Sequence, residues 1–121
     1  MQNSMLSLAS AVVLTACGGS GAGADVAAPG SSTSVYRYAG SVQCEGGGLS
    51  LTESQRQLTD AGIQVLSAAC GIDGNAYPTV CGAPDGRIRI FEVPNAQSQL
   101  ASAIGFEPLS NLPSPSQADC Q

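Results

Sequence analysis

Short segments with strand or helix periodicity fill the C-terminal two thirds of the chain, after an N-terminal apolar run and a stretch of small residues. Positions 35–44 are rich in strand formers and lead into glycines, so they predict a first strand. Thr52 followed by Gln55 forms a capping box that predicts a helix, and Gly62 followed by Ile63 predicts its end. The side chains expected to face the core are Leu51, Leu58 and Ala61.

Two further strands are predicted in the middle of the chain. Positions 63–70 carry apolar side chains on both faces, which is typical of a strand buried on both sides. Positions 70–78 form a turn-rich loop, and Asp85 with Gly86 gives a second turn signal. The segment 87–93 that follows this turn is the third predicted strand.

A second helix is predicted after the third strand. Asn95 is its expected N-cap, Leu100 and Ile104 share its core face, and Gly105 before Phe106 predicts its end. The order β-α-β-β-α predicts an α/β fold, a small two-layer sandwich with the helices on one face of a short sheet. We expect the first crossover to be right-handed.

Composition divides the chain into four segments. Residues 17–34 are almost entirely Gly, Ala, Ser, Thr and Pro, which cannot form a packed core. We interpret them as a flexible tether with a root-mean-square reach of about 20 to 25 Å. We place a signal peptide at 1–16, one α/β domain at 35–112 and an irregular tail at 113–121.

The apolar run from Met5 to Leu14 is too short to cross a bilayer and is typical of an export signal. It ends in Leu14-Thr15-Ala16-Cys17, which resembles the lipobox of bacterial lipoproteins. The resemblance implies that Cys17 is lipidated and anchors the protein to a membrane of the cell envelope. Glycines follow Cys17 in place of the aspartate that favours inner-membrane retention, which implies the outer membrane in a Gram-negative cell.

The leader departs from the usual pattern of export signals. Met1-Gln2-Asn3-Ser4 has no Lys or Arg, whereas signal peptides normally carry positive charge there. Either the export signal is weak or translation starts upstream. Two other interpretations remain open: a soluble secreted protein cut nearby, or an ordinary apolar N-terminus.

The cysteine count supports an oxidising compartment. Removing Cys17 from the five cysteines leaves four, which are Cys44, Cys70, Cys81 and Cys120. Small exported domains use disulfides because their cores alone give marginal stability. Four cysteines allow three pairings. We favour Cys70 with Cys81, closing a loop between two strands, and Cys44 with Cys120, fastening the tail.

Charge and missing residue types exclude several functions. The formal charge is −5, with four arginines and no lysine, which argues against nucleic-acid binding. The absence of histidine excludes Ser-His and Cys-His nucleophile systems and most catalytic zinc sites. Asp73-Gly74-Asn75 resembles the start of a calcium loop, but no glutamate closes it, so we expect an ordinary turn. We therefore expect no catalytic residue, metal or cofactor.

One group of side chains suggests binding. Arg87 and Arg89 share a face of the third strand with Phe91 and Val93 if that strand is regular. If the helices cover the opposite side, which carries Ile88, this face is an open surface for an anionic ligand or a protein partner. The candidate binding residues are Tyr36, Arg37, Tyr38, Arg87 and Arg89. In the alternative interpretation, these arginines pair with Asp85, Glu92 or Glu107.

These observations predict a lipid-anchored envelope protein whose domain binds or scaffolds and does not catalyse. Its expected partners are the membrane, through the lipid, and a protein of the envelope. One alternative is an acidic inhibitor or adaptor that captures a basic envelope protein. Another is an enzyme that uses a thiol or a carboxylate pair, either Glu45 with Glu53 or Asp85 with Glu92.

Overall fold

The computed structural model describes residues 31–120. The expected signal peptide, Cys17 and most of the tether lie outside the described residues. The elements in chain order are β1 (Ser32–Tyr38), α1 (Leu51–Asp60), β2 (Ser67–Ile72), β3 (Arg87–Pro94), a 3-10 turn (Asn95–Gln97), α2 (Ser98–Ala103), β4 (Glu107–Pro108), a 3-10 turn (Leu109–Asn111) and β5 (Ser116–Gln117). No helix within residues 31–120 is long and apolar enough to cross a membrane.

The strands form one antiparallel five-stranded sheet in the order β4-β1-β3-β2-β5. β3 lies at the centre and pairs along its length with β1, from Ser32 opposite Pro94 to Tyr38 opposite Ile88. On its other side it pairs with β2. The edge strands β4 and β5 have two residues each and were not predicted. β5 falls in the segment 113–121, which was expected to be irregular.

Helix α1 begins two residues before the predicted position. The Glu53 N–H donates to Ser50 Oγ at 3.0 Å, and the Ser50 N–H donates to Glu53 Oε1 at 3.1 Å. The capping box therefore belongs to Ser50, and the prediction of Thr52 was wrong. The reason lies just upstream, where the Leu49 N–H donates to the carbonyl of Ala39 at 2.8 Å and fixes the point from which the helix starts.

The predicted end of α1 is confirmed. Gly62 has a φ of 82°, and its N–H donates to the Thr59 carbonyl while the Ile63 N–H donates to the Leu58 carbonyl. These two hydrogen bonds form the Schellman motif at the end of the helix. Leu58 is buried as expected and Leu51 packs against the core, but Ala61 is exposed.

Helix α2 has six residues and differs from its prediction in all but its end. Asn95 lies in the preceding 3-10 turn and does not cap the helix. Leu100 is 52% exposed and Ile104 37% exposed, whereas Ala101 is fully buried. Phe106, after Gly105, provides the large core side chain that the short helix lacks. The ending itself is confirmed, because the Phe106 N–H donates to the Ala101 carbonyl at 2.9 Å.

The main core lies between the helices and the face of β3 that carries Phe91 and Val93. Its buried members are Val35, Leu58, Ile63, Phe91, Val93, Ala101 and Phe106. On the opposite face Tyr36, Ile88 and Ile90 form a second cluster covered by Leu109 and Leu112. The condition for an open binding face, helices on the Ile88 side, is not met, because the helices pack against Phe91 and Val93. Both faces of β3 carry apolar side chains, so alternation alone does not tell which one meets the helices.

The other two long strands also differ from their predicted bounds. β1 ends at Tyr38, before Gly40, whose φ of 82° turns the chain. β2 begins at Ser67, so Ile63 packs on the core from the segment before the strand. Ser67 is exposed in β2, so the expectation of a strand buried on both sides was wrong.

Two disulfides use all four cysteines of the described residues, Cys44 with Cys81 and Cys70 with Cys120. The favoured pairing was therefore wrong. The Ala118 N–H donates to the Cys70 carbonyl at 2.9 Å, which brings the end of the chain beside β2. The Gln43 N–H donates to the Ala83 carbonyl at 2.8 Å, which brings the loop after β1 beside the loop before β3. Long-range backbone pairing thus decides the connectivity.

Candidate binding groove

Two loops at one end of the sheet enclose a groove. The first loop follows β1, the second precedes β3, and the Cys44–Cys81 disulfide joins them. Two adjoining cavities lie here, of about 270 Å³ and 380 Å³. They share Ser41, Asp85 and Arg87, and we call them together the loop groove. Tyr38, Tyr77 and Pro84 line the smaller cavity, which is mainly apolar, and Glu45 belongs to the larger, more polar one.

A buried carboxylate fixes the two tyrosines of the loop groove. Asp73 is 1% exposed, and its Oδ2 accepts hydrogen bonds from the hydroxyls of Tyr38, at 2.8 Å, and Tyr77. Its Oδ1 accepts from the backbone N–H of Asn75 at 2.9 Å, and the Asn75 side chain donates to Oδ2 at 3.1 Å. The predicted turn at Asp73-Gly74-Asn75 is therefore an Asx turn that also holds both rings.

The electrostatics of this cluster keep the carboxylate charged and the phenols neutral. Burial raises the pKa of Asp73, but the hydrogen bonds from Tyr77, Asn75 and Tyr38 outweigh it, so that the pKa lies below its usual value. Burial and the bond to Asp73 raise the pKa of Tyr38. The bond to Asp73, followed by burial, raises the pKa of Tyr77. At neutral pH both phenols thus remain donors to one carboxylate.

Gly86 allows the loops to close on this cluster. Its φ is 75°, and a Cβ at this position would lie 2.5 Å from Tyr77 Cε2 and 2.8 Å from Asp73 Oδ1. Its carbonyl accepts from the Asp73 N–H at 2.9 Å. Glycine is therefore required here by both backbone conformation and space.

Asp85 organises the polar side of the loop groove. Its Oδ1 accepts from the Ser41 hydroxyl at 2.9 Å and from the Arg87 N–H at 3.0 Å. Its Oδ2 lies 3.5 Å from Arg87 Nε, longer than the roughly 2.7 to 2.9 Å of a charge-assisted hydrogen bond. This ion pair is one of the pairs that the alternative interpretation of the arginines predicted. Oδ2 retains capacity to accept a further hydrogen bond.

The five candidate binding residues do not form one open surface. Tyr38 and Arg87 line the loop groove, whereas Tyr36 is buried on the sheet face covered by Leu109 and Leu112. Arg37 is half-buried on the helix side, where it bonds to Gln57 and its guanidinium carbon lies 5.3 Å from the centroid of the Phe106 ring. The open sheet surface expected for these residues is therefore not present in the part of the chain that the structure describes.

Arg89 is a buried cation with a structural contact. It is 2% exposed, and its Nε donates to the carbonyl of Leu49 at 3.0 Å, just before α1. Its Nη1 has no hydrogen-bond partner among residues 31–120. Burial, and next the charge of Arg87, lower the pKa of Arg89. Arg89 thus ties the start of α1 to the centre of the sheet.

Sequence reasoning missed Asp73 and Tyr77 as members of a site. The Asp-Gly-Asn pattern did signal a turn, but nothing in it indicated that tyrosines from two distant segments would converge on the carboxylate.

Among the described residues all cysteines are oxidised, and no group of three His, Cys, Asp or Glu side chains is placed to hold a metal ion. Comparison with known protein-family models, curated proteins and solved structures finds no match.

Proposed function

We propose that this protein is an exported, lipid-anchored envelope protein whose small two-layer domain binds a partner and does not catalyse. The observation that carries the proposal is that the four cysteines of residues 31–120 pair with one another in two disulfides, so that neither disulfide requires Cys17. Disulfides persist in exported proteins, and Cys17 stands where the lipobox of bacterial lipoproteins has its lipidated residue.

The loop groove supports a binding role. Its tyrosine rings are fixed by Asp73 and its two loops are joined by a disulfide, so a ligand would meet a preformed surface. Preformed sites lose little conformational entropy on binding. The aromatic and apolar wall beside a few polar groups is typical of ligand sites. The tether would hold this groove clear of the membrane to which Cys17 is anchored.

Intact mass spectrometry of protein purified from bacterial membranes tests the anchor. We expect a lipid mass increment on the wild type that is absent from the Cys17→Ser variant. We also expect alkylation of the other four cysteines only after reduction. A wild-type protein without lipid would contradict the anchor, and a free thiol in the domain would contradict the oxidised pairing. If the lipid is present, separation of inner and outer membranes from cells that express the wild type tests the outer-membrane location.

An acidic adaptor is the more specific form of this function. The chain carries −5 without any lysine, which favours capture of a basic partner by electrostatic attraction. Within the loop groove, Asp85 supplies part of this negative charge, and its Oδ2 can accept a hydrogen bond from a basic partner. Salt should weaken a captured complex strongly if attraction contributes, and a complex insensitive to salt would argue for a purely structural role.

A further inference from the structure

We propose that the loop groove accepts an arginine side chain of a basic protein partner, with the guanidinium lying against Tyr38 and Tyr77 and bonding to Asp85. The inference rests on the proposed binding function and names its site and its ligand chemistry. Three independent features of the groove carry it: its aromatic wall, its charge and its open rim.

The aromatic wall suits a planar cation. Tyr38 is 43% exposed although its hydroxyl is bonded to Asp73, so the ring is available while its position is fixed. A guanidinium stacks on aromatic faces and is attracted by their quadrupole. Donation of both phenol protons to one carboxylate should increase the electron density of the rings, which strengthens this attraction.

The charge around the groove favours a cation over an anion. Asp85 and Glu45 line the groove and Asp73 is hydrogen-bonded to its two tyrosines, whereas Arg87 is the one cation among the described residues that line it. Arg87 is already paired with Asp85, so an anionic ligand at Arg87 would also lie close to the Asp85 carboxylate. A guanidinium has planar, paired donors that match a carboxylate, and Asp85 Oδ2 offers an acceptor in the shared wall of the two cavities.

The rim of the groove leaves the approach open. Gly40 lies on the rim of the smaller cavity, and a Cβ there would meet no atom within 4 Å. A partner side chain can therefore reach the tyrosine rings without displacing part of this chain.

The test is a titration followed by amide chemical shifts in nuclear magnetic resonance. The protein is the full chain with Cys17→Ser and intact disulfides, and the probe is the capped pentapeptide Gly-Arg-Gly-Arg-Gly. The matched control peptide replaces both arginines by citrulline, which keeps the shape and removes the charge. We expect saturable shifts at Gly40, Asp85 and Gly86 with the arginine peptide, and at least a tenfold weaker affinity for the citrulline peptide.

Two variants of equal charge separate the groove from the general acidity of the chain. Asp85→Asn should weaken the arginine peptide about tenfold, while an amide oxygen can still accept from Ser41. Asp60→Asn removes the same charge at the exposed end of α1 and should change the affinity less than twofold. Amide dispersion and urea unfolding verify that each variant is folded.

Four outcomes would overturn the inference. Three are the absence of saturable shifts, equal affinity for the two peptides, and equal loss of affinity in both variants. Shifts that saturate at residues away from the groove are the fourth. The mass measurement on Cys17 is independent of this titration. A lipidated protein that does not bind the arginine peptide would therefore contradict the arginine site but not the lipid anchor.

Discussion

At the scale of single residues, Asp73 connects the fold to the candidate site. One buried carboxylate takes hydrogen bonds from a strand residue, Tyr38, and from two residues of its own loop, Asn75 and Tyr77. Hydrogen bonds to charged groups contribute about 1.5 to 3 kcal/mol each, and loss of one partner leaves the others unsatisfied. The same residue therefore stabilises the domain and positions the aromatic wall of the loop groove.

We expect Asp73→Asn to lower the free energy of unfolding by about 2 to 3 kcal/mol at neutral pH. Because the pKa of Asp73 is lowered in the folded protein, its stabilisation is present above its ordinary value of 3.8 and is lost as the pH falls through the folded pKa. Urea unfolding of wild type and variant from pH 7 downward measures both effects. The difference between them should shrink below about pH 4, and a difference that stayed constant would contradict the assignment.

Gly86 and Gly40 give a matched pair of variants, since both have positive φ and only Gly86 lacks space for a side chain. Gly40→Ala should lower the free energy of unfolding by about 1 kcal/mol, from backbone strain alone. Gly86→Ala should lower it by about 2 to 4 kcal/mol, because the methyl group meets Tyr77 and Asp73. Equal effects in thermal or urea unfolding would mean that Gly86 has room for a methyl group.

At the scale of elements, sequence patterns predicted the helix ends and strands that depend on neighbouring residues. The glycine endings at Gly62 and Gly105 and the strand Arg87–Pro94 were recognisable because each depends on neighbouring residues. β4 and β5 exist only through pairing with distant strands, so nothing in their own two residues indicates them. The covered face of β3 and the meeting of Tyr38 with Tyr77 likewise depend on long-range register, which the sequence pattern does not contain.

The start of α1 is a local feature that was predicted at the wrong residue, and a pair of substitutions tests its correction. Ser50→Ala removes the side chain that accepts from the Glu53 N–H and should lower the free energy of unfolding by about 1 kcal/mol. Thr52→Ala changes an exposed residue inside the first turn and should have an effect within about 0.5 kcal/mol. The opposite ranking in urea unfolding would restore the capping box at Thr52.

At the scale of the whole molecule, the two disulfides fasten different parts. Cys44–Cys81 joins the walls of the loop groove, whereas Cys70–Cys120 holds the C-terminal segment against β2. Upstream of Cys120, Leu109 and Leu112 cover the cluster of Tyr36, Ile88 and Ile90. The segment between β4 and the Cys70–Cys120 disulfide thus covers one apolar face of the sheet.

Removal of either disulfide should therefore destabilise the domain, with different local consequences. For cysteines separated by 37 and 50 positions, restriction of the unfolded chain contributes about 4 kcal/mol, with about 2 to 4 kcal/mol typical in practice. Cys70→Ala with Cys120→Ala should in addition release the C-terminal segment and expose the cluster that contains Ile88. Binding of a hydrophobic fluorescent dye under native conditions measures that exposure.

Cys44→Ala with Cys81→Ala is the matched control, because it removes a comparable constraint between the two loops of the groove. It should lower the free energy of unfolding by a similar amount without raising dye binding, since the C-terminal segment remains fastened by Cys70–Cys120. Peptide mapping of the unreduced wild type should link Cys44 to Cys81. A link between Cys70 and Cys81 would refute the connectivity and, with it, the closed wall of the loop groove, because only the observed pairing holds the two loops together.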